Sequence, residues 1–157
     1  MTDSDDDLPA FKFGSGEFEF GEWVTPFTDA EIEILEVLYS PKRERHYRID
    51  SLLPEHDDRD LVARIYIPDT DKIYRVVFPW ISAMRLLDEG GLMELWVKTR
   101  EFGGRPGQTT FRVRNHAWVR ESFASFMSTD DGWSFVIASR NECLEVLTMT
   151  APIITEE

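Results

Sequence analysis

Carboxylates close to tryptophans are the residues of this sequence best suited to chemistry. Asp88, Glu89 and Glu94 are close together in the chain, with Trp80 before them and Trp96 after them. Two carboxyl groups can act as general acid and general base when burial and neighbouring charges separate their pKa values. These residues could therefore form a tryptophan-lined carboxylate cleft that binds or converts a small molecule. Because the first two acids stand beside two glycines, a turn followed by a helix explains them as well.

Motifs for metal, nucleotide or covalent chemistry are missing from the sequence. Metal ligands must converge, and the one local cluster, Glu55–Asp58, has no partner at a fixed spacing. The sequence has no G-x-S-x-G nucleophile elbow, no phosphate-binding loop and no dinucleotide fingerprint. Cys143 stands next to Glu142, and nearby negative charge makes a thiol less reactive, so we predict a buried structural cysteine. We accordingly predict no catalytic residue, no metal site and no cofactor.

Negative charge is concentrated near the start of the chain. The protein has a net charge of −13, and residues 1–36 contribute −10 of it, from eleven acids and one base. Because phosphate binding needs a basic surface, this charge excludes a nucleic-acid binder that relies on bulk charge. The acids within patterned sequence decorate a folded face, which is either an ordinary solvated surface or a docking surface for a basic partner.

Five residues are the candidates for that docking surface. Trp23 differs from the other tryptophans, which mostly stand in apolar patterns, because it is flanked by Glu22 and a loop. Tryptophans in such positions are frequent anchors of protein interfaces. The predicted binding residues are Trp23, Asp29, Glu31, Glu33 and Glu36.

The elements that must position these residues are mostly strands. Leu61–Ile67 and Lys72–Phe78 alternate between apolar and polar residues on either side of a Pro-Asp-Thr-Asp turn, which predicts a hairpin. Trp133–Ser139 and Cys143–Met149 predict a second pair of strands. Phe11–Phe20 predicts two half-buried strands joined by a Gly-Ser-Gly turn.

Other segments fit more than one structure. Thr28–Leu38 has a capping-box pattern and helical spacing, but its alternating β-branched residues favour a strand after a short turn. Pro79–Gly90 fits a helix that ends at its glycine, and Leu92–Thr99 fits a helix or a strand, so the choice between helix and strand stays open over residues 79–98. Asn115 is expected to cap a helix over His116–Met127.

The size and composition indicate one domain. A chain of 157 residues is about one folding unit, and its composition, 42% apolar and 30% charged, is globular. We predict a disordered acidic tail over residues 1–10, followed by a single α+β domain over residues 11–157. This domain is expected to be mainly antiparallel β-sheet with one to three helices, and to end in a frayed segment, Pro152–Glu157.

The cellular location follows from features that the chain lacks. No apolar run approaches the ~20 residues that span a bilayer, so we expect no membrane among its partners. The N-terminus has neither the positive nor the apolar region of a signal peptide. Because the single cysteine allows no internal disulfide, these features predict a cytoplasmic protein.

Three pieces of the sequence carry a family resemblance. Phe27–Ile32 reads Phe-Thr-Asp-Ala-Glu-Ile, and Phe78–Trp96 contains Arg-Leu-Leu-Asp-Glu-Gly-Gly-Leu. Near the end, Ser134–Ile137 is followed by Asn141–Leu147. Together these pieces resemble small bacterial immunity-type proteins and uncharacterised bacterial proteins of similar size. The resemblance implies a β-rich cytosolic α+β domain that binds another protein. Immunity proteins neutralise a sibling toxin, and nuclease toxins are basic, so an acidic inhibitor gains electrostatic steering.

These observations favour a non-enzymatic protein-binding module of the immunity or inhibitor kind, which docks an acidic face on a basic partner such as a toxin. Two alternatives stay open. The protein could be an accessory subunit or a homo-oligomeric structural protein, in which a neighbour covers an apolar edge such as Leu61–Ile67. It could also be a small-molecule binder or enzyme that uses the tryptophan-lined carboxylate cleft.

Overall fold

Two antiparallel sheets make up most of the computed structural model, which describes residues 17–41, 59–121 and 131–157. The strands of these ranges are β1 (Glu19–Glu22), β2 (Glu33–Pro41), β3 (Arg59–Ile67), β4 (Lys72–Phe78), β5 (Ile81–Asp88), β6 (Thr110–Arg114), β7 (Ser134–Ala138), β8 (Glu142–Thr148) and β9 (Ile153–Glu156). One sheet has the order β2-β3-β4-β9 and the other β1-β6-β7-β8-β5. A 3-10 turn (Glu89–Leu92) leads into helix α1 (Met93–Glu101), and a short helix α2 (Ala117–Arg120) follows β6. The fold is therefore α+β and mainly antiparallel, as predicted.

The two sheets share one apolar core. Alternate residues of β3, such as Leu61 and Ile65, are fully buried, and those of β7 and β8, such as Ile137 and Leu144, are buried opposite them. This alternation is what two facing sheets require, since successive side chains of a strand point to opposite faces. Burial of such a side chain stabilises the fold by roughly 1.5–3 kcal/mol.

A second apolar cluster covers the other face of the five-stranded sheet. Leu95 of α1 is buried there with Phe111 of β6 and Val136 of β7. Cys143 belongs to the same cluster and is buried, as predicted. The five-stranded sheet is therefore the middle layer, between the four-stranded sheet and α1, and its strands are apolar on both faces.

Several sequence predictions are confirmed by these elements. β3 and β4 form the predicted hairpin, with a continuous register from Leu61 opposite Phe78 to Ile67 opposite Lys72. β7 and β8 form the second predicted pair. The segment from Thr28 onward is a turn followed by strand β2, as its β-branched residues indicated. Within the ambiguous Leu92–Thr99 segment, the helical alternative is correct.

Two segments form strands that the sequence did not establish. Pro79–Gly90 fits a helix, but its sequence leaves the choice between helix and strand open, and it contains strand β5, which pairs with β8 from Ile81 to Asp88. Met84 packs against the first core and Leu87 against the second, so the strand lacks the simple alternation that would have identified it. The expected frayed end is strand β9, which pairs with β4 and packs Ile154 against the first core.

Two further expectations are corrected. Asn115 does not cap a helix: its side-chain amide donates to the Glu17 carbonyl at 2.8 Å, and the Glu94 carboxylate accepts from the first amide of α2 instead. The apolar segment Leu61–Ile67 is not a sheet edge, because β3 lies between β2 and β4 and buries its alternate residues in the core.

Some predictions fall outside the described residues. These are the acidic tail over residues 1–10, the first of the two N-terminal strands, the Glu55–Asp58 cluster and most of the helix expected over His116–Met127. Phe20 of β1 is half-buried, as expected for that segment. None of the helices in the described ranges has the length and apolar character to cross a membrane.

Candidate functional site

The predicted binding residues lie along one stretch of chain that leads from β1 into β2. Trp23 directly follows β1 and is half-buried. Asp29 lies in the turn before β2, and Glu31, Glu33 and Glu36 follow it, the last two within the strand. All four carboxylates are exposed.

Threonine hydroxyls hold the turn between the two strands. The Thr28 hydroxyl accepts a hydrogen bond from the Thr25 amide at 2.7 Å. Thr110 at the start of β6 donates its hydroxyl to the Trp23 carbonyl at 2.9 Å, and its oxygen lies 3.1 Å from the Thr28 hydroxyl. The turn is therefore fixed to the middle sheet, and the residues that it carries have defined positions.

A cavity of about 460 Å³ opens beside this turn. Its lining includes Trp23, the carboxylates Glu22 and Asp29, and the rings of Pro26 and Pro106. One Asp29 oxygen accepts from the amide of Gln108 at 3.2 Å, which ties the turn to the loop before β6. The lining contains two acids and no basic residue, so the formal charge of the lining is negative.

A second cavity of about 380 Å³ lies between the start of β2 and the turn that joins β7 to β8. Glu31, Glu33 and Glu142 line it together with a single base, Arg140. The guanidinium of Arg140 lies 3.2 Å from the Glu31 carboxylate, but both side chains are mostly exposed to water. An ion pair in water adds little to stability, so these carboxylates keep most of their capacity to bind.

Trp23 is held firmly in this surface. Its ring lies 5.0 Å from that of Phe135 and 6.0 Å from that of Phe78, in edge-to-face contacts at the margin of the first core. A ring that is already immobilised loses little conformational entropy when a partner binds. The role of Trp23 as an anchor stays a prediction.

Two carboxylates of the predicted cleft cap short helices, and Trp80 lies at the opposite end of β5 from Asp88. Asp88 accepts from the Gly91 amide at 3.0 Å, and Glu94 from the Ala117 amide at 3.0 Å, so both carboxylates cap short helices. Trp80 precedes β5 and Asp88 ends it, which separates them by about 25 Å of extended strand. Within the described ranges, no three potential metal ligands converge.

Sequence reasoning missed a buried charged cluster on the helix side of the middle sheet. Glu145 of β8 and His116 are both fully buried, and His116 Nε2 donates to Glu145 Oε1 at 2.5 Å. The Ser134 hydroxyl donates to the same oxygen at 2.6 Å. Arg85 of β5 donates to Glu145 Oε2 from Nε at 2.7 Å, and its guanidinium stacks 4.5 Å from the centre of the Trp118 ring.

The electrostatics of this cluster keep Glu145 ionised. Burial alone would raise the pKa of Glu145, but the hydrogen bonds and charges of His116 and Arg85 outweigh it and hold that pKa below its ordinary value. Ser134 donates to Glu145 rather than to His116, so the cluster has no serine–histidine hydrogen bond of the kind that activates a nucleophile. Its hydrogen bonds tie β5, β7 and β8 to the residue that precedes α2. The only sequence signal was a charged residue in the middle of an otherwise apolar strand.

Comparisons with known protein families, with curated proteins and with solved structures found no match for this chain. The resemblance to immunity-type proteins therefore rests on the three short segments alone.

Proposed function

We propose that this protein is a non-enzymatic binding module that docks an acidic surface on a basic protein partner, in the manner of an immunity or inhibitor protein. The acidic surface consists of Glu22, Asp29, Glu31, Glu33 and Glu36. The observation that carries the proposal is that these exposed carboxylates follow one another along a single segment that borders two cavities. The linings of these cavities contain one base, Arg140.

Apolar side chains between the carboxylates support a binding role. Leu35 and Leu38 of β2 are 46% and 52% exposed. β2 lies at the edge of its sheet among the described strands. Interfaces typically combine an apolar centre with a charged rim, and this segment offers both.

The charge of the acidic surface would act mainly on the rate of association. Complementary charges steer the encounter of two proteins, and this steering weakens when salt screens charges beyond about 8 Å at physiological ionic strength. A basic toxin or other basic protein is the partner that such a surface selects.

A second candidate function is self-association, favoured by the outer face of the four-stranded sheet. Leu38, Val62, Val77 and Ile153 are register neighbours on four adjacent strands and form an apolar row across this face. The two ends of the row, Leu38 and Ile153, are more than half exposed. A dimer in sedimentation equilibrium that dissociates in a Val62→Lys variant would favour this alternative.

The test of the proposed function uses charge-matched variants. The immobilised protein is used to capture partners from a lysate of its source organism, and the captured protein is identified and purified. Its association rate is then measured with a surface variant, Glu31→Gln/Glu33→Gln/Glu36→Gln. A control variant, Asp69→Asn/Glu101→Gln/Glu121→Gln, removes three exposed charges elsewhere.

The proposal predicts that the immobilised protein captures a basic protein, and that this protein is released when the salt concentration is raised. Association with the surface variant should be roughly tenfold slower or more and less sensitive to salt, because steering depends on local complementarity. The control variant should keep the rate of the native protein. Equal effects of the two variants would show that only total charge matters and would contradict the proposal.

A further inference from the structure

Two arginines of this protein, Arg85 and Arg114, are each held between a tryptophan ring and carboxylates. The guanidinium of Arg85 lies 4.5 Å from the centre of the Trp118 ring and 2.6 Å from the Glu145 carboxylate. The ring face attracts the cation, and the carboxylate accepts its hydrogen bonds. The guanidinium therefore contacts the aromatic ring and the carboxylate at the same time.

The same arrangement recurs on the other side of the middle sheet. The guanidinium of Arg114 lies 4.6 Å from the centre of the Trp133 ring, forms an ion pair with Asp131 at 2.7 Å, and donates a hydrogen bond to Glu19. Two separate sites of this fold thus combine one tryptophan with carboxylates, and both contain an arginine.

The cavity beside Trp23 has the same components without the cation. Glu22 and Asp29 line it together with the tryptophan, and its lining contains no basic residue. In the described part of the chain, guanidinium groups lie over the rings of Trp96, Trp118 and Trp133, and none lies over Trp23.

The cavity is large enough for a side chain of a partner, and its chemistry suits a cationic group. Its volume of about 460 Å³ lies in the lower half of the range of ligand pockets, about 300–1,000 Å³. The threonine hydroxyls at the turn already bond to one another and to the Trp23 carbonyl, so the carboxylates supply the remaining acceptors. Asp29 keeps acceptor capacity after its bond to the Gln108 amide, since an ionised carboxylate has about four acceptor positions.

We infer that this cavity binds a guanidinium group, and that the group belongs to an arginine of the basic protein partner. The inference rests on the proposed function for the source of the arginine, and on the cavity for the chemistry. Arginine fits better than lysine because its planar, weakly hydrated head stacks on an aromatic ring and bonds carboxylates in pairs. Trp23 would then anchor the interface by receiving the partner's side chain.

The test uses N-acetyl-arginine methylamide as a probe of the isolated cavity. Binding is followed by the NMR signals of the Trp23 indole and of the backbone amides of residues 22–29, at low salt. The neutral N-acetyl-citrulline methylamide and the lysine analogue serve as comparison ligands. We expect saturable binding of the arginine probe, at least tenfold weaker binding of citrulline, and intermediate binding of lysine.

The variant Glu22→Gln/Asp29→Asn should bind the arginine probe with an affinity at least tenfold lower than that of the native protein. Asparagine keeps an oxygen for the Gln108 amide, so the turn should stay intact, and unchanged amide signals elsewhere would verify this. The control variant Asp69→Asn/Glu101→Gln should bind the probe like the native protein. Equal affinity for arginine and citrulline, or tighter binding of unblocked free arginine than of the probe, would overturn the inference.

The inference and the proposed function can fail separately. A captured partner that needs Glu31, Glu33 and Glu36 but binds the Glu22→Gln/Asp29→Asn variant with native affinity would overturn the inference and leave the proposed function standing. Specific probe binding combined with no captured basic protein would support the guanidinium chemistry and overturn the assignment to a protein partner.

Discussion

Replacement of Glu145 by glutamine is expected to lower the free energy of unfolding by about 3–5 kcal/mol at pH 7, because it breaks a buried ion pair by removing one partner. The carboxylate accepts from His116, Ser134 and Arg85 and is fully buried. Glutamine has nearly the same shape, but it has one acceptor oxygen and an amide group that faces other donors. The substitution therefore removes the charge and leaves donors unsatisfied.

The position of each donor refines this magnitude. The Arg85 side chain is 24% exposed, so water can solvate part of its charge after the substitution. His116 is fully buried and has no such access, so the loss should still lie within the range. Because water can solvate part of the Arg85 charge, we expect a loss at the lower end, about 3 kcal/mol. For a chain of this size, this loss is equivalent to roughly 6–12 °C in melting temperature.

The pH dependence provides a second signature. The pKa of Glu145 in the folded protein lies below its ordinary value of 4.5, so the unfolded chain binds a proton more readily in acid. The stability that the ionised carboxylate contributes is complete above about pH 4.5 and is lost as the pH falls through the folded-state pKa. Because the glutamine variant lacks this contribution, the two proteins should approach each other in stability in acid.

The assay is urea unfolding followed by tryptophan fluorescence and circular dichroism, from pH 7 down to the lowest pH at which both proteins fold. Glu142→Gln serves as the control, since Glu142 is an exposed carboxylate on the same strand and its loss should change stability by less than about 0.5 kcal/mol. A loss below about 1 kcal/mol for Glu145→Gln at pH 7 would refute this reasoning. A difference between variant and native protein that stays constant below pH 4.5 would also refute it.

Two further predictions concern packing. Gly107→Ala should destabilise the fold by about 1–3 kcal/mol in thermal unfolding, because the added Cβ would lie 2.3 Å from the Thr110 carbonyl oxygen. Gly90→Ala is the control and should be neutral, because its Cβ would meet only a side-chain oxygen at 3.4 Å. Equal losses of stability in the two variants would contradict this explanation. The Cys143 thiol, which is 1% exposed, should react with a thiol reagent such as dithionitrobenzoate only after unfolding in urea, and rapid reaction of the native protein would show that the second apolar cluster opens.

The sequence by itself determined the elements whose signals are local. In β3 and β4, buried residues alternate with half-buried or exposed ones, and the turn between them contains the residues that turns prefer. The alternation and the turn residues therefore both predict a hairpin. β7 and β8 were equally recognisable as apolar runs around a polar turn. The exposure of Asp29, Glu31, Glu33 and Glu36 follows from the same rule, because carboxylates in alternating sequence face water.

Only the tertiary structure decided the elements that depend on distant partners. β5 could pass for a helix because it lies between two apolar layers, and its pairing with β8 involves residues about 60 positions away. β9 is an unremarkable terminal segment until β4 pairs with it. Contacts between residues far apart in the chain are set by the packing of the whole domain, which a local pattern does not encode.

The candidate binding surface divides in the same way. Sequence patterning predicted Trp23 and Asp29 as binding residues, but their position at one cavity depends on the turn being tied to Thr110 and Gln108, about 80 residues later. The local pattern does not predict the role of the buried Glu145, since its partners His116 and Arg85 are 29 and 60 residues away. Residue type and the periodicity of apolar residues determine which side chains face water and which face the core. Only the folded chain determines which of these side chains contact one another.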